Sequence, residues 1–251
     1  MTTAWMALPV DADAMRRVWR SGRMSHCALL MSLLVAGSAS AAVPLPDYER
    51  ELARARWHEA NDVLEAACRY EPRQRAVVCT DRVDDAIELA ESFQRHVFAD
   101  AGLTYLVALA QRYKGDEPAA AAGFRRALAL DDAHDAAWHD LGELLLISGD
   151  FDDADAAFAH VTALRKTGPN AWVGPWRQAE VAAHQRQVVA FEEHMRQALR
   201  RGFSFRTIAG LPNWKSFYAD PVMRKSITKL VTVYGDPELL GTLEPTAELE
   251  P

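Results

Sequence analysis

Motifs that carry chemistry are scarce in this sequence. It has no G-x-S-x-G nucleophile turn, no H-E-x-x-H and no glycine-rich phosphate loop. Cysteine is rare: Cys27, Cys68 and Cys79 are the only three, and none forms a C-x-x-C pair. Positive charge is in deficit, with 28 Lys and Arg against 35 Asp and Glu. That balance excludes nucleic acid as the leading partner, because binding a phosphate backbone needs a basic face. It also argues against an anionic membrane surface. Segments that alternate apolar and polar residues between turns are missing. Alanine is frequent instead, so the expected fold class is all-α. Long apolar runs are missing too. The run CALLMSLLVAG, Cys27 to Gly37, falls well short of the roughly 20 residues that span a bilayer.

That short run has a meaningful setting. Arg16, Arg17, Arg20 and Arg23 precede it, and the small residues SASAAVP follow it. A basic region, a short apolar core and an A-x-A-like site are the layout of a cleaved secretory signal. Ala39-Ser40-Ala41 fits the cleavage site, so the processed chain is expected to begin at Ala42 or Val43. The layout is clearest if translation starts at Met15. The expected location is the periplasm, with no stable membrane insertion after cleavage. Residues 1–41 hold four of the 28 basic and two of the 35 acidic residues, so 24 basic and 33 acidic remain, a net of −9. Cys27 leaves with the signal. Cys68 and Cys79 then form an even count in an oxidising compartment, which points to a disulfide rather than a redox or metal role.

The organisation beyond residue 98 is periodic. Shifting GDEPAAAAGFRRALALDD by 34 residues places it on GDFDDADAAFAHVTALRK. Gly115 falls on Gly149, Ala120 on Ala154, Phe124 on Phe158 and Leu130 on Leu164. Trp138, Leu141 and Gly142 precede Ala154 and Phe158 at the spacing W-x2-L-G…A-x3-F. In this pattern the chain resembles the tetratricopeptide repeat family, whose units are helix pairs of 34 residues. Residues 135–168 match it well. Residues 101–134 match in the second helix, with Thr104, Val107, Ala108 and Gln111 at the signature positions of the first. A third unit follows after a three-residue insertion, its helices expected near 174–185 and 187–201. The resemblance implies an α-α superhelix of about nine helices, because a single unit cannot bury its own apolar face and must stack.

The same resemblance implies a groove lined by the first helix of each unit. Its groove positions fall on Tyr105, Leu109, Arg112 and Tyr113, on His139, Glu143, Leu146 and Ile147, and on Trp176, Glu180 and His184. Aromatic residues and arginine are the types that anchor interfaces. A protein or peptide ligand is the implied partner.

The flanks complete the domain plan. Residues 42–97 form an N-terminal helical segment with a degenerate repeat, including a long helix over about 47–69. The array occupies 98–202, a capping segment 203–235 and an acidic, proline-containing tail 236–251 that reads as disordered. Asp220-Pro221 has the signature of a capped helix start, and Thr80-Asp81 is a second candidate cap. The Cys68–Cys79 stretch falls where the degenerate unit's first helix belongs, although Pro72 prevents an unbroken helix there. His134 and His139 lie five residues apart, about 140° around a helix, so they diverge and read as part of an Asp-rich helix start rather than a metal site. No residue set nominates a catalytic, cofactor or metal role. A non-catalytic interaction module is therefore the leading expectation. An envelope or cell-wall enzyme, or an accessory subunit of one, is the alternative.

Overall fold

The computed structural model describes residues 45–71, 76–208 and 211–244. The expected signal at 1–41, Pro72 and the last seven residues lie outside these. The unit from Tyr48 onward is an all-α stack of helix pairs. Helix α1 is Leu45–Ala67, and a β-hairpin follows, β1 Cys68–Glu71 and β2 Ala76–Cys79. Then come α2 Val83–His96, α3 Ala101–Tyr113, α4 Glu117–Leu130, α5 Asp135–Ser148 and α6 Phe151–Leu164. Helices α7 Val173–His184 and α8 Val188–Arg200 form the third unit. A 3₁₀ turn, Phe205–Ile208, leads to α9 Pro212–Ala219, α10 Pro221–Tyr234 and α11 Leu239–Leu243.

Three successive pairs, α3–α4, α5–α6 and α7–α8, are the repeats. Their close approach depends on small residues. A Cβ on Gly123 would meet the Ala108 Cβ at 2.6 Å, and one on Gly142 would meet the Phe158 ring at 2.7 Å. The turns within the pairs recur as well. Gly115 and Gly149 both adopt left-handed backbone, and Arg186 takes that conformation in the third turn. The step from Gly149 to Arg186 is three residues longer than the 34-residue period, which locates the insertion. Caps fix the helix starts: Asp100, Asp116 and Asp220 each accept a backbone N–H through the side chain.

Three apolar clusters run along the stack. The first joins Ala60 and Leu64 of α1 to Phe93 of α2 and Leu103 and Leu106 of α3. The second centres on Phe124, Leu141 and Phe158. The third holds Trp176, Phe191, Met195, Trp214 and Ile227.

Four details differ from expectation. The Cys68–Cys79 stretch is not the remnant of a helix. It is an antiparallel hairpin in which Cys68 and Cys79 stand directly opposite and are joined by a disulfide. A covalent cross-link between facing residues, next to the β-branched Val77 and Val78, favours a ladder over a helical turn. The following helix starts with Arg82 at its cap position. Thr80 is engaged elsewhere, its N–H and hydroxyl both donating to the Ala67 carbonyl at the end of α1. At the start of α5 it is His134 Nδ1, not an aspartate, that accepts from Ala137 N. Finally, the acidic tail is not wholly without structure. Leu239–Leu243 is helical, with Leu243 buried in the third cluster, because its leucines find apolar cover that composition cannot reveal.

Candidate functional site

The first helices are joined by a polar ladder. From α3, the Tyr105 hydroxyl donates to Asp140 Oδ2 at 2.8 Å and Arg112 donates to Asp140 Oδ1 at 3.0 Å. His139 Nδ1 lies 3.2 Å from the same Oδ1. A carboxylate only accepts, so the proton of that bond sits on Nδ1. The His139 Nε2 lies 3.9 Å from Glu143 Oε1. Arg177 of α7 places Nε 2.7 Å from that oxygen. The Arg177 N–H does not point along this contact, so opposite charge rather than a directed hydrogen bond carries it. Another nitrogen of Arg177 donates to Glu180 Oε2, and the guanidinium lies over the Trp176 ring. The ladder ends at α9, where Asn213 Nδ2 and Trp214 Nε1 donate to Glu180 Oε1 at 2.8 and 2.6 Å.

The electrostatics follow from burial. Desolvation pushes the Asp140 carboxyl up, but the His139 and Tyr105 hydrogen bonds and the charges of His139 and Arg112 outweigh it. The carboxyl is held below its ordinary value. Burial and the neighbouring Asp140 charge push the Tyr105 phenol up, so it stays a donor. The Tyr113 phenol is raised by the same two causes.

The groove positions separate into three groups. Tyr105, Arg112, His139 and Glu143 are ladder members. Tyr105 is further fixed by ring contacts with Phe124 and His134. Leu109, Tyr113 and Leu146 are half-buried, Ile147 is 64% exposed, and His184 is exposed. Trp176 and Glu180 do not stand open as the register implies. They are 8% and 0% exposed, covered by the chain's own C-terminal segment. Helices α9 and α10 stack on the third unit as a fourth pair would. Trp214 reaches Glu180 across 34 residues, and Ser226 reaches Glu192 across 34 residues.

Motif reading overlooked four ladder residues, Asp140, Arg177 and, on α9, Asn213 and Trp214. Asp140 stands in an Asp-rich stretch that reads as a helix start. Arg177 lies between the groove positions Trp176 and Glu180 and reaches both neighbours through its length. An S-x-x-K spacing, read from the sequence as absent, is present at Ser226-Ile-Thr-Lys229, the spacing of an acyl-enzyme Ser and Lys. Both side chains bind Glu192, the hydroxyl at 3.0 Å and the ammonium at 3.0 Å. Among the described residues, no group of three His, Cys, Asp or Glu side chains is placed to hold a metal ion.

No protein-family model and no curated protein matches the sequence. The fold has counterparts among solved structures. PilF of Pseudomonas aeruginosa superposes with a TM-score of 0.53 at 12% identity, over 78% of this chain and 90% of PilF. MamA (41-end) of Desulfovibrio magneticus RS-1 superposes with a TM-score of 0.52 at 16% identity, over 72% of this chain and 94% of its own. With the 34-residue helix pairs and their small crossing residues, these likenesses identify the fold as that of the tetratricopeptide repeat, an all-α superhelix.

Proposed function

We propose that this protein is an exported, non-catalytic scaffold that binds a protein or peptide partner along the groove side of α3 and α5. The observation that carries the reading is the division of labour on that side. The charged groups there pair with one another in the ladder, while the exposed Ile147 and the outward parts of Leu109, Tyr113 and Leu146, which also pack on the apolar clusters, present contact surface. The Tyr113 hydroxyl has no hydrogen-bond partner among the described residues. A rigid floor with aromatic and aliphatic contacts suits a partner chain, since preorganised surfaces lose little entropy on binding. The third unit contributes less, because Trp176 and Glu180 are spent on the C-terminal pair. The proposed location is the periplasm, supported by the signal layout and by the disulfide. Among the described residues no helix is long and apolar enough to cross a membrane.

The test is co-purification from cell-envelope extracts with wild type and with Tyr113→Ala/Ile147→Glu. The variant is expected to lose partners that the wild type retains. Retention of the same partners in the same amounts would contradict the groove.

A further inference from the structure

The side of the array away from the groove carries a cleft that arises from a difference between two repeats. Thr104 and Val107 lie on the side of α3 opposite Tyr105, Leu109, Arg112 and Tyr113, at about 100° per residue. They floor a cleft of about 580 Å³ walled by Glu91 and Arg95 of α2 and by Arg126 and Leu130 of α4. The lining is mainly apolar at the floor and charged at the rim.

One period further on, the equivalent space is filled. Thr104 corresponds to Trp138 and Arg126 to His160, each 34 residues later. In that second repeat the Trp138 indole stacks on the His160 ring, with centroids 4.0 Å apart and planes 5° from parallel. Its N–H donates to the Asp132 carbonyl at 2.8 Å. In the first repeat, Thr104 is too small to fill this position. Its hydroxyl turns back to Gln94 Oε1 and the Asp100 carbonyl, both at 2.7 Å. The cleft is therefore shaped by the absence of a ring that the next repeat supplies from its own chain.

The charges at the rim are unequal. Arg95 is neutralised by Glu88 at 2.7 Å and Glu91 at 3.4 Å. Arg126 is exposed and has no carboxylate partner among the described residues, and neither has the adjacent Arg125. An unpaired guanidinium beside an apolar floor is complementary to the face of an aromatic ring and to a nearby carboxylate.

We propose that this cleft receives one aromatic side chain from an acidic segment of a partner protein. The ring sits over Val107 and Leu130 and stacks on Arg126, as Trp138 stacks on His160. This second contact surface is independent of the groove.

The experiment uses the full processed chain and a fluorescein-labelled peptide, Asp-Glu-Trp-Glu-Asp, followed by anisotropy. The same peptide with alanine in place of tryptophan is the control. The tryptophan peptide is expected to bind, and the alanine peptide to bind far more weakly. Arg126→Ala should weaken binding by about fivefold or more. Thr104→Trp should plug the cleft and abolish binding, while Tyr113→Ala leaves it unchanged. Equal binding of both peptides, or no loss in Arg126→Ala, would overturn the proposal. So would concentration-dependent self-association that Thr104→Trp removes, since the occupant would then be a second copy of the chain. Arg126 is a surface residue, so its variant decides the question even if Thr104→Trp does not fold.

Discussion

Asp140 gathers three donors from two helices, and its charge is what holds them. Removing it strands the Tyr105 hydroxyl and leaves Arg112 without its carboxylate. Hydrogen bonds to a charged group contribute about 1.5–3 kcal/mol, so Asp140→Ala should cost roughly 2–3 kcal/mol in urea denaturation. The pH dependence has a definite sign. The folded state holds the Asp140 carboxyl below its unfolded value of about 3.9. Its contribution is complete above that value and is lost as pH falls through the folded one. Asp135 and Glu192 are lowered as well, so the informative quantity is a difference. The stability gap between wild type and Asp140→Asn should be present at about pH 5 and shrink below about pH 4. A gap that does not change with acid would remove Asp140 from this role. Little of this was legible in the sequence. The repeat register places Tyr105, Arg112 and His139 on one side of their helices. It does not say that their long side chains converge on a carboxylate that reads as a helix start.

At the scale of the element, crossing points decide which helices can stack. Gly174 opens α7 against α6, and a Cβ there would meet the Thr162 backbone nitrogen at 2.6 Å and Cα at 2.8 Å. Backbone atoms cannot swing aside as a side-chain end can. Gly174→Ala should therefore cost about 1–3 kcal/mol, the usual range for overpacking. Gly241 in α11 is the contrast, because nothing lies within 4 Å of a Cβ placed on it. There alanine should be neutral or stabilising by up to about 1 kcal/mol through helix propensity. Thermal melts of the two variants should shift in opposite directions, or only the first should shift. A harmless Gly174→Ala would mean that α6 and α7 do not approach as described. The helices themselves were readable where the pattern is strong. Gly115/Gly149 and Phe124/Phe158 mark α4 and α6, and the slipped third unit emerges within a residue or two as α7 and α8. The hairpin was not readable, since four-residue strands give no periodicity and a facing disulfide is a tertiary fact. Helix α11 was hidden by its acidic, proline-containing surroundings.

For the whole molecule, stacking makes coupling local, since each unit touches only its neighbours. The disulfide cross-links the two facing strands of the hairpin, beside the end of the stack where the repeat signature is weakest. Closing a loop of this length contributes about 3 kcal/mol in the chain-entropy model. Cys68→Ser/Cys79→Ser should therefore speed hydrogen exchange in α1, the hairpin and α2, and leave α7 to α10 unchanged. Uniformly faster exchange would mean that the array melts as one unit. The same local logic explains why Trp176 and Glu180 were misplaced by register alone. Their burial depends on α9 and α10, whose docking no repeat signature announces.

The central claim is that a partner lies along α3 and α5. Its most direct test is site-specific photocrosslinking in the native envelope. The crosslinking residue would replace Tyr113 or Ile147 on the groove side, and Ala156 on α6 as a control. Adducts of one protein from both groove positions, and none from the control, are the predicted result. No adduct from either groove position, or the same adduct from all three, would contradict it.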